Sequence, residues 1–195
     1  LRMTSETAGP DRVTGAPGPK DEPGRRWLTW TAIVAFYTAV VVLMLAPVSN
    51  YAAFSSAIAP GDPKAHAWTF AWTLHAILTG HSFFDANTFF PARPALQYSE
   101  HYIGVGIWGL PLYAITHNAV LVYNVLRILT LVLNAVAMHA FVWRWQRRHA
   151  PAIVAGLVFG VSAERLLYIG HVPILWNCWM PLLLLVLATR ASDVT

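Results

Sequence analysis

The chain has 195 residues, 56% of them hydrophobic and only 11% charged, with a formal net charge of +4. That balance is too apolar for a soluble domain of this size and suits a chain solvated by lipid. The basic residues sit beside apolar segments rather than along one extended face, which argues against a nucleic-acid surface, and the single cysteine, Cys178, excludes an intramolecular disulfide.

Residues 1–26 are rich in Gly, Pro, Thr and charge and lack apolar periodicity, so a disordered cytoplasmic tail is expected. Arg25 and Arg26 then meet an apolar run from Trp27 to Pro47, close to the roughly 20 residues that cross a hydrocarbon core of about 30 Å. A secretory signal has a shorter core, so this run is expected to be a retained span.

Gly61-Asp62-Pro63 is the strongest helix-start signal in the chain, with an aspartate at the N-cap and a proline at the first helical position. The helix should run to about Thr79 and stop at Gly80, with Trp68, Trp72, His75 and Thr79 on one face. It is short for a span and is expected to lie in the membrane interface. Residues 81–101 form a long aromatic loop, which usually marks function. Residues 102–116 form a second short apolar segment, interrupted by Gly104, Gly106, Gly109 and Pro111, which reads as a helix at the membrane surface or a re-entrant element.

Residues 118–143 make a full span ending in the basic and aromatic collar Trp143-Arg144-Trp145-Gln146-Arg147-Arg148. Residues 151–162 return outward, 163–172 turn, and 173–189 go back to Arg190. The expected fold is therefore all-α: a polytopic membrane helix bundle of about four transmembrane helices, with two short interfacial helices in an outer loop over 48–117. Lys20, Arg25, Arg26, Arg144, Arg147, Arg148 and Arg190 fall on one side of this topology, and Lys64, Arg93 and Arg165 on the other, which places the N-terminus in the cytoplasm. The chain opens on Leu1 and ends at Thr195 soon after an apolar helix, and residues 191–195 are expected to be a truncated cytoplasmic end of a longer protein.

Polar side chains near hydrocarbon are costly unless paired or working. Asp62, the pair Glu100-His101, and the turn holding Glu164, Arg165 and His171 qualify on the outer side. Asp62 has two readings, a general base or an N-cap. Glu100 and His101 offer a carboxylate and an imidazole suited to a divalent metal, while two adjacent residues alone are a weak ligand signature. His171 either lines a polar cavity or bonds a neighbouring turn, and Glu164 with Arg165 reads as a local ion pair. Arg127 lies about 14 Å along its helix from the outer end and should face the bundle interior, towards a backbone carbonyl, an outer-loop acid or a lipid phosphate. His66, His75, His81 and His117 fall at headgroup depth and are read as tolerated there.

The order of these residues resembles a known family. Gly61-Asp62 after the first span, a Trp-rich short helix, Phe84-Asp85-Ala86-Asn87-Thr88-Phe89-Phe90-Pro91, Ser99-Glu100-His101, a span ending in arginines, and Gly170-His171 before Trp176 and Pro181 look like the N-terminal part of the bacterial GT-C membrane glycosyltransferases. The resemblance implies transfer of a monosaccharide from a polyprenyl-phosphate donor to an acceptor hydroxyl, on the extracytoplasmic face of the bacterial plasma membrane. It assigns Asp62 as catalytic base and Glu100 to a divalent metal (Mg, Mn or Zn) or to substrate orientation. His101, His171 and Arg127 join them as candidate substrate-binding residues, with the lipid-linked sugar and membrane lipid as partners. The competing class is a non-catalytic membrane protein, such as a small transporter or channel subunit, in which Arg127 and the histidines line a path.

Overall fold

A computed structural model describes residues 23–47, 50–56, 58, 61–99 and 101–192. Helix is the regular structure throughout: α1 Pro23–Leu45, α2 Asp62–Thr79, α3 Ile103–Thr116, α4 Ala119–Gln146, α5 His149–Gly160, α6 Ala163–Leu167, α7 Val172–Leu175 and α8 Trp179–Ser192, with short 3-10 turns at Tyr51–Ala53 and Ala95–Tyr98. Among the described residues four segments are long and apolar enough to cross a membrane: Gly24–Leu45, Ala119–Gln146, His149–Leu167 and Val172–Arg190. At 1.5 Å per residue α1 is about 34 Å long, enough for the hydrocarbon core.

Local chemistry sets the helix ends. Gly80 adopts the left-handed conformation (φ 72°) and its N–H donates to Ala76 O, so α2 stops where its glycine predicts. The Asn118 side chain accepts from the N–H of Leu121 at 2.9 Å and starts α4. The third span, expected over 151–162, differs. It begins two residues earlier, breaks at Val161 and Ser162, and gains one helical turn, α6, from what was expected to be a plain turn over 163–172.

Helix α4 is the hub, and α1, α2, α3, α5, α7 and α8 all pack on it. Trp30 meets Trp143 and Tyr37 meets His139, so α1 runs antiparallel to α4. The bundle therefore has a basic end, carrying Arg25, Arg26 and Arg147, and a loop end, carrying α2, α3 and the connections around α6 and α7. At the loop end Phe70, Leu74, Tyr102, Val105, Val122 and Leu126 form one core, which seats the α2–α3 pair on the first half of α4. A second core joins Ile33, Tyr37 and Val41 of α1 to Leu131, Val132 and Ala135 of α4.

The outward surface is apolar. Leu182, Leu183, Leu184, Val186 and Leu187 of α8 and Val154 and Val158 of α5 are exposed, apolar surface that water would not tolerate and lipid would cover. The inward face of α4 instead carries buried Asn124, Thr130, Asn134 and His139. Asn134 donates to Leu175 O at 2.7 Å, fixing α7 against α4. Tyr37 Oη lies 2.9 Å from His139 Nδ1, and His139 Nε2 lies 3.1 Å from His149 Nδ1. With its proton on Nε2, His139 accepts from the tyrosine and donates to His149, so one ring ties α1, α4 and α5 together. Tyr37→Phe should therefore lower the stability of the solubilised bundle by about 0.5–1.5 kcal/mol, measured as a drop in unfolding temperature in detergent, with the helical content unchanged.

Candidate functional site

The N-terminus of α2 is the loop end's most polar corner. Gly61 (φ 81°) occupies the N-cap, Asp62 is the first helical residue, and no side chain caps the helix. The expectation that Asp62 sits at the N-cap is corrected by this placement. One position further along, its carboxylate projects outward, 77% exposed, and does not bond its own backbone. Asp62 Oδ2 instead lies 3.7 Å from His171 Nε2. That separation is too long for a hydrogen bond, is an ion pair only when the imidazole is protonated, and carries little weight in stability because the carboxylate is exposed. Its interest lies in which two groups it brings together.

His171 precedes α7, and its Nδ1 is buried without a hydrogen-bond partner. Its ring stands edge-on to His66, one turn along α2 from Asp62, with centroids 4.6 Å apart. His66 in turn meets Tyr102, at 5.7 Å, and His171 meets Tyr168, at 5.9 Å. The cluster thus draws on α2, on the start of α3 and on both sides of the turn between α6 and α7. His66, expected to be a bystander at headgroup depth, belongs to it. The four-residue spacing from Asp62 put both on one face of α2 and was the available signal.

Helix α4 holds the turn that carries His171. Arg127 Nε donates to Ile169 O at 3.2 Å, and Arg127 Nη1 to Asn124 Oδ1 at 3.2 Å. The Tyr123 hydroxyl donates to Gly170 O. Arg127 therefore faces the interior, as its depth required, and it reaches the backbone carbonyl among its three expected partners. On this geometry it holds the backbone of the turn that carries His171. Tyr123→Phe should loosen the 168–171 turn at a cost of about 1 kcal/mol or less, seen as faster amide exchange at Gly170 and His171 with α4 itself protected.

The other sequence candidates fall elsewhere. His101 stands edge-on to Phe84 at 5.7 Å. Glu100 lies outside the described residues, and with it the proposed Glu100-His101 metal pair. Among the described residues no group of three or more His, Cys, Asp or Glu side chains comes together to hold a metal ion. Glu164 and Arg165 make no direct salt bridge, although the Glu164 charge acts favourably on the guanidinium; Arg165 Nη1 donates to Leu175 O at 3.2 Å and its guanidinium lies 4.5 Å over the Phe159 ring.

A cavity of about 610 Å³ opens beside this turn, between α5–α6 and α7–α8. Phe159, Ile174, Met180 and Met138 line it with apolar surface, Glu164 and Arg165 line it with charge, and Tyr168, which touches His171, lines it too. Residue spacing offers no sign of this chamber, since its walls come from five helices, α4 to α8. Beyond it, the loop over 81–99 is pinned by Trp72 Nε1 donating to Phe83 O at 3.0 Å and by Arg93 pairing with Asp85 at 3.6 Å, while Phe89, Phe90 and Tyr98 project from it.

The site thus combines an uncapped carboxylate, two imidazoles and a neighbouring apolar chamber at one end of a membrane bundle. Compared with protein-family models, with curated proteins and with solved structures, the chain matches none.

Proposed function

We propose that the loop end is the transfer site of a GT-C-type membrane glycosyltransferase, moving a monosaccharide from a polyprenyl-phosphate donor to an acceptor hydroxyl on the extracytoplasmic face. The observation that carries this reading is the meeting of Asp62 with His171 and His66, from distant parts of the chain, while the Asp62 carboxylate is unused by its own helix. The adjoining chamber, lined by Phe159, Ile174 and Met180 together with Glu164 and Arg165, suits a prenyl chain whose phosphate stays near the loop end.

An acceptor hydroxyl is a weak nucleophile, so a base beside it matters. In the proposed reaction the acceptor oxygen attacks the anomeric carbon, the bond from that carbon to the phosphate oxygen breaks, and the hydroxyl proton passes to Asp62. Polyprenyl phosphate leaves with the bonding electrons. His171 orients Asp62 from one side, and Arg127 and Tyr123 hold the turn from which His171 projects. The clustering of Arg25, Arg26 and Arg147 at the opposite end supports a cytoplasmic N-terminus. The bacterial plasma membrane follows from the family resemblance. A transporter or channel reading draws no support from Arg127, whose guanidinium donates into the protein.

The test offers the purified protein short-chain polyprenyl-phosphate hexoses and pentoses with alkyl glycosides as acceptors. Release of polyprenyl phosphate with formation of the extended glycoside supports the proposal. Absence of transfer from every donor, with the protein correctly inserted, overturns it.

A further inference from the structure

At the basic end, away from the proposed transfer site, Arg25, Arg26 and Trp30 of α1 meet Trp143, Arg147 and His149 around a cavity of about 680 Å³. Arg147 caps α4 in the left-handed conformation (φ 50°), with its guanidinium 4.9 Å from the centre of the Trp143 ring. Trp143 stacks on His149 at 5.8 Å, and Trp30 stands edge-on to both. Aromatic packing thus fixes the walls while the arginines supply the charge. Among the described residues no carboxylate pairs with Arg25, Arg26 or Arg147. Three cations round one cavity repel each other unless an anion joins them, and guanidinium groups match phosphate oxygens in geometry as well as charge.

A second feature says what kind of anion. Trp30 also lines a shallower groove of about 380 Å³, which continues along α1 over Trp27, Val34 and Ala35 and is almost wholly apolar. Val34 and Trp27 are exposed on the face that lipid would cover. A basic cavity joined through one tryptophan to an apolar groove matches a molecule with a phosphate at one end and a hydrocarbon chain at the other.

We propose that this end of the bundle binds an anionic glycerophospholipid, its phosphate held by Arg25, Arg26 and Arg147 and one acyl chain lying in the groove beside Trp30. A zwitterionic lipid fits less well, because its own ammonium group cancels the phosphate charge that three arginines attract. The site is independent of the transfer reaction proposed above.

Native mass spectrometry of the protein released from vesicles with equal amounts of phosphatidylglycerol and phosphatidylcholine tests this. The expected result is at least tenfold preferential retention of phosphatidylglycerol. Retention should fall roughly 5-fold for each arginine replaced in Arg25→Gln, Arg26→Gln and Arg147→Gln. Arg144→Gln with Arg148→Gln removes two charges from the same end, as many as Arg25→Gln with Arg147→Gln, without touching the cavity lining, and should leave retention unchanged. Equal loss in that control would reduce the site to a general basic belt and overturn the proposal, as would the absence of any preference. Full displacement by millimolar glycerol 3-phosphate would identify a soluble anion as the ligand and likewise overturn it. Should the triple variant fail to insert, Arg147→Gln alone carries the test.

Discussion

Asp62→Asn is expected to lower sugar transfer by about 10²- to 10⁴-fold while leaving the protein folded and inserted. Asparagine keeps the size and polarity of the side chain but cannot accept the acceptor's proton, so the loss falls on the chemical step. The folded state has little to lose, because the carboxylate makes no capping bond and is largely exposed. What remains is its charge near the first turn of α2, worth about 0.3–1 kcal/mol. His171→Gln should lower the rate less, since in the proposed reaction His171 acts through Asp62. If the two work as a unit, Asp62→Asn combined with His171→Gln should be scarcely slower than Asp62→Asn alone. Initial transfer rates of the purified variants, beside their unfolding temperatures in detergent, check this. Unaltered transfer by Asp62→Asn would remove Asp62 as base.

Gly160→Leu is expected to damage the bundle more than any polar substitution described above. The first side-chain carbon at position 160 would lie 2.5 Å from Ala135 Cβ and 2.9 Å from both Cα and N of Ala135. Those last two are backbone atoms of the central helix and cannot rotate aside, so α4 and α5 must separate. Gly156, one turn back, faces the same helix: a methyl there would press on the Tyr37 hydroxyl and lie 2.8 Å from Ala135 O. The pair forms a small-xxx-small face, which lets two membrane helices approach closely enough to gain by van der Waals packing. Overpacking a tight interface costs about 1–3 kcal/mol even for a small addition, and leucine should exceed that range. Unfolding temperature and elution profile in detergent measure the effect. An unchanged unfolding temperature for Gly160→Leu would mean that α5 is not held against α4 as described.

Much of the helical framework was legible because local signals carry it. Gly80 ends α2 and Asn118 starts α4 through bonds to backbone three or four residues away, which spacing alone reveals. Arg127 likewise had to face inward on energetic grounds. The site was less legible, because its contacts are non-local. Nothing in the sequence links Tyr123 to Gly170 or Arg127 to Ile169, since a carbonyl acceptor looks alike at every residue. Asp62 was misplaced by one position for a subtler reason. An aspartate before proline fits both the N-cap and the first turn, and only the left-handed backbone of Gly61 decides between them. The 149–167 segment was cut short because Val161 and Ser162 break its helix, although the apolar character carries on into α6.

The most direct test of the account is the side of the membrane on which the Asp62 and His171 cluster lies. Asn87 is exposed in the loop that follows α2, and Cys178 is the only natural cysteine. An Asn87→Cys substitution in a Cys178→Ser background should react with a membrane-impermeant maleimide in intact cells. Labelling only after the membrane is opened would put the cluster on the cytosolic side, where the proposed transfer has no acceptor.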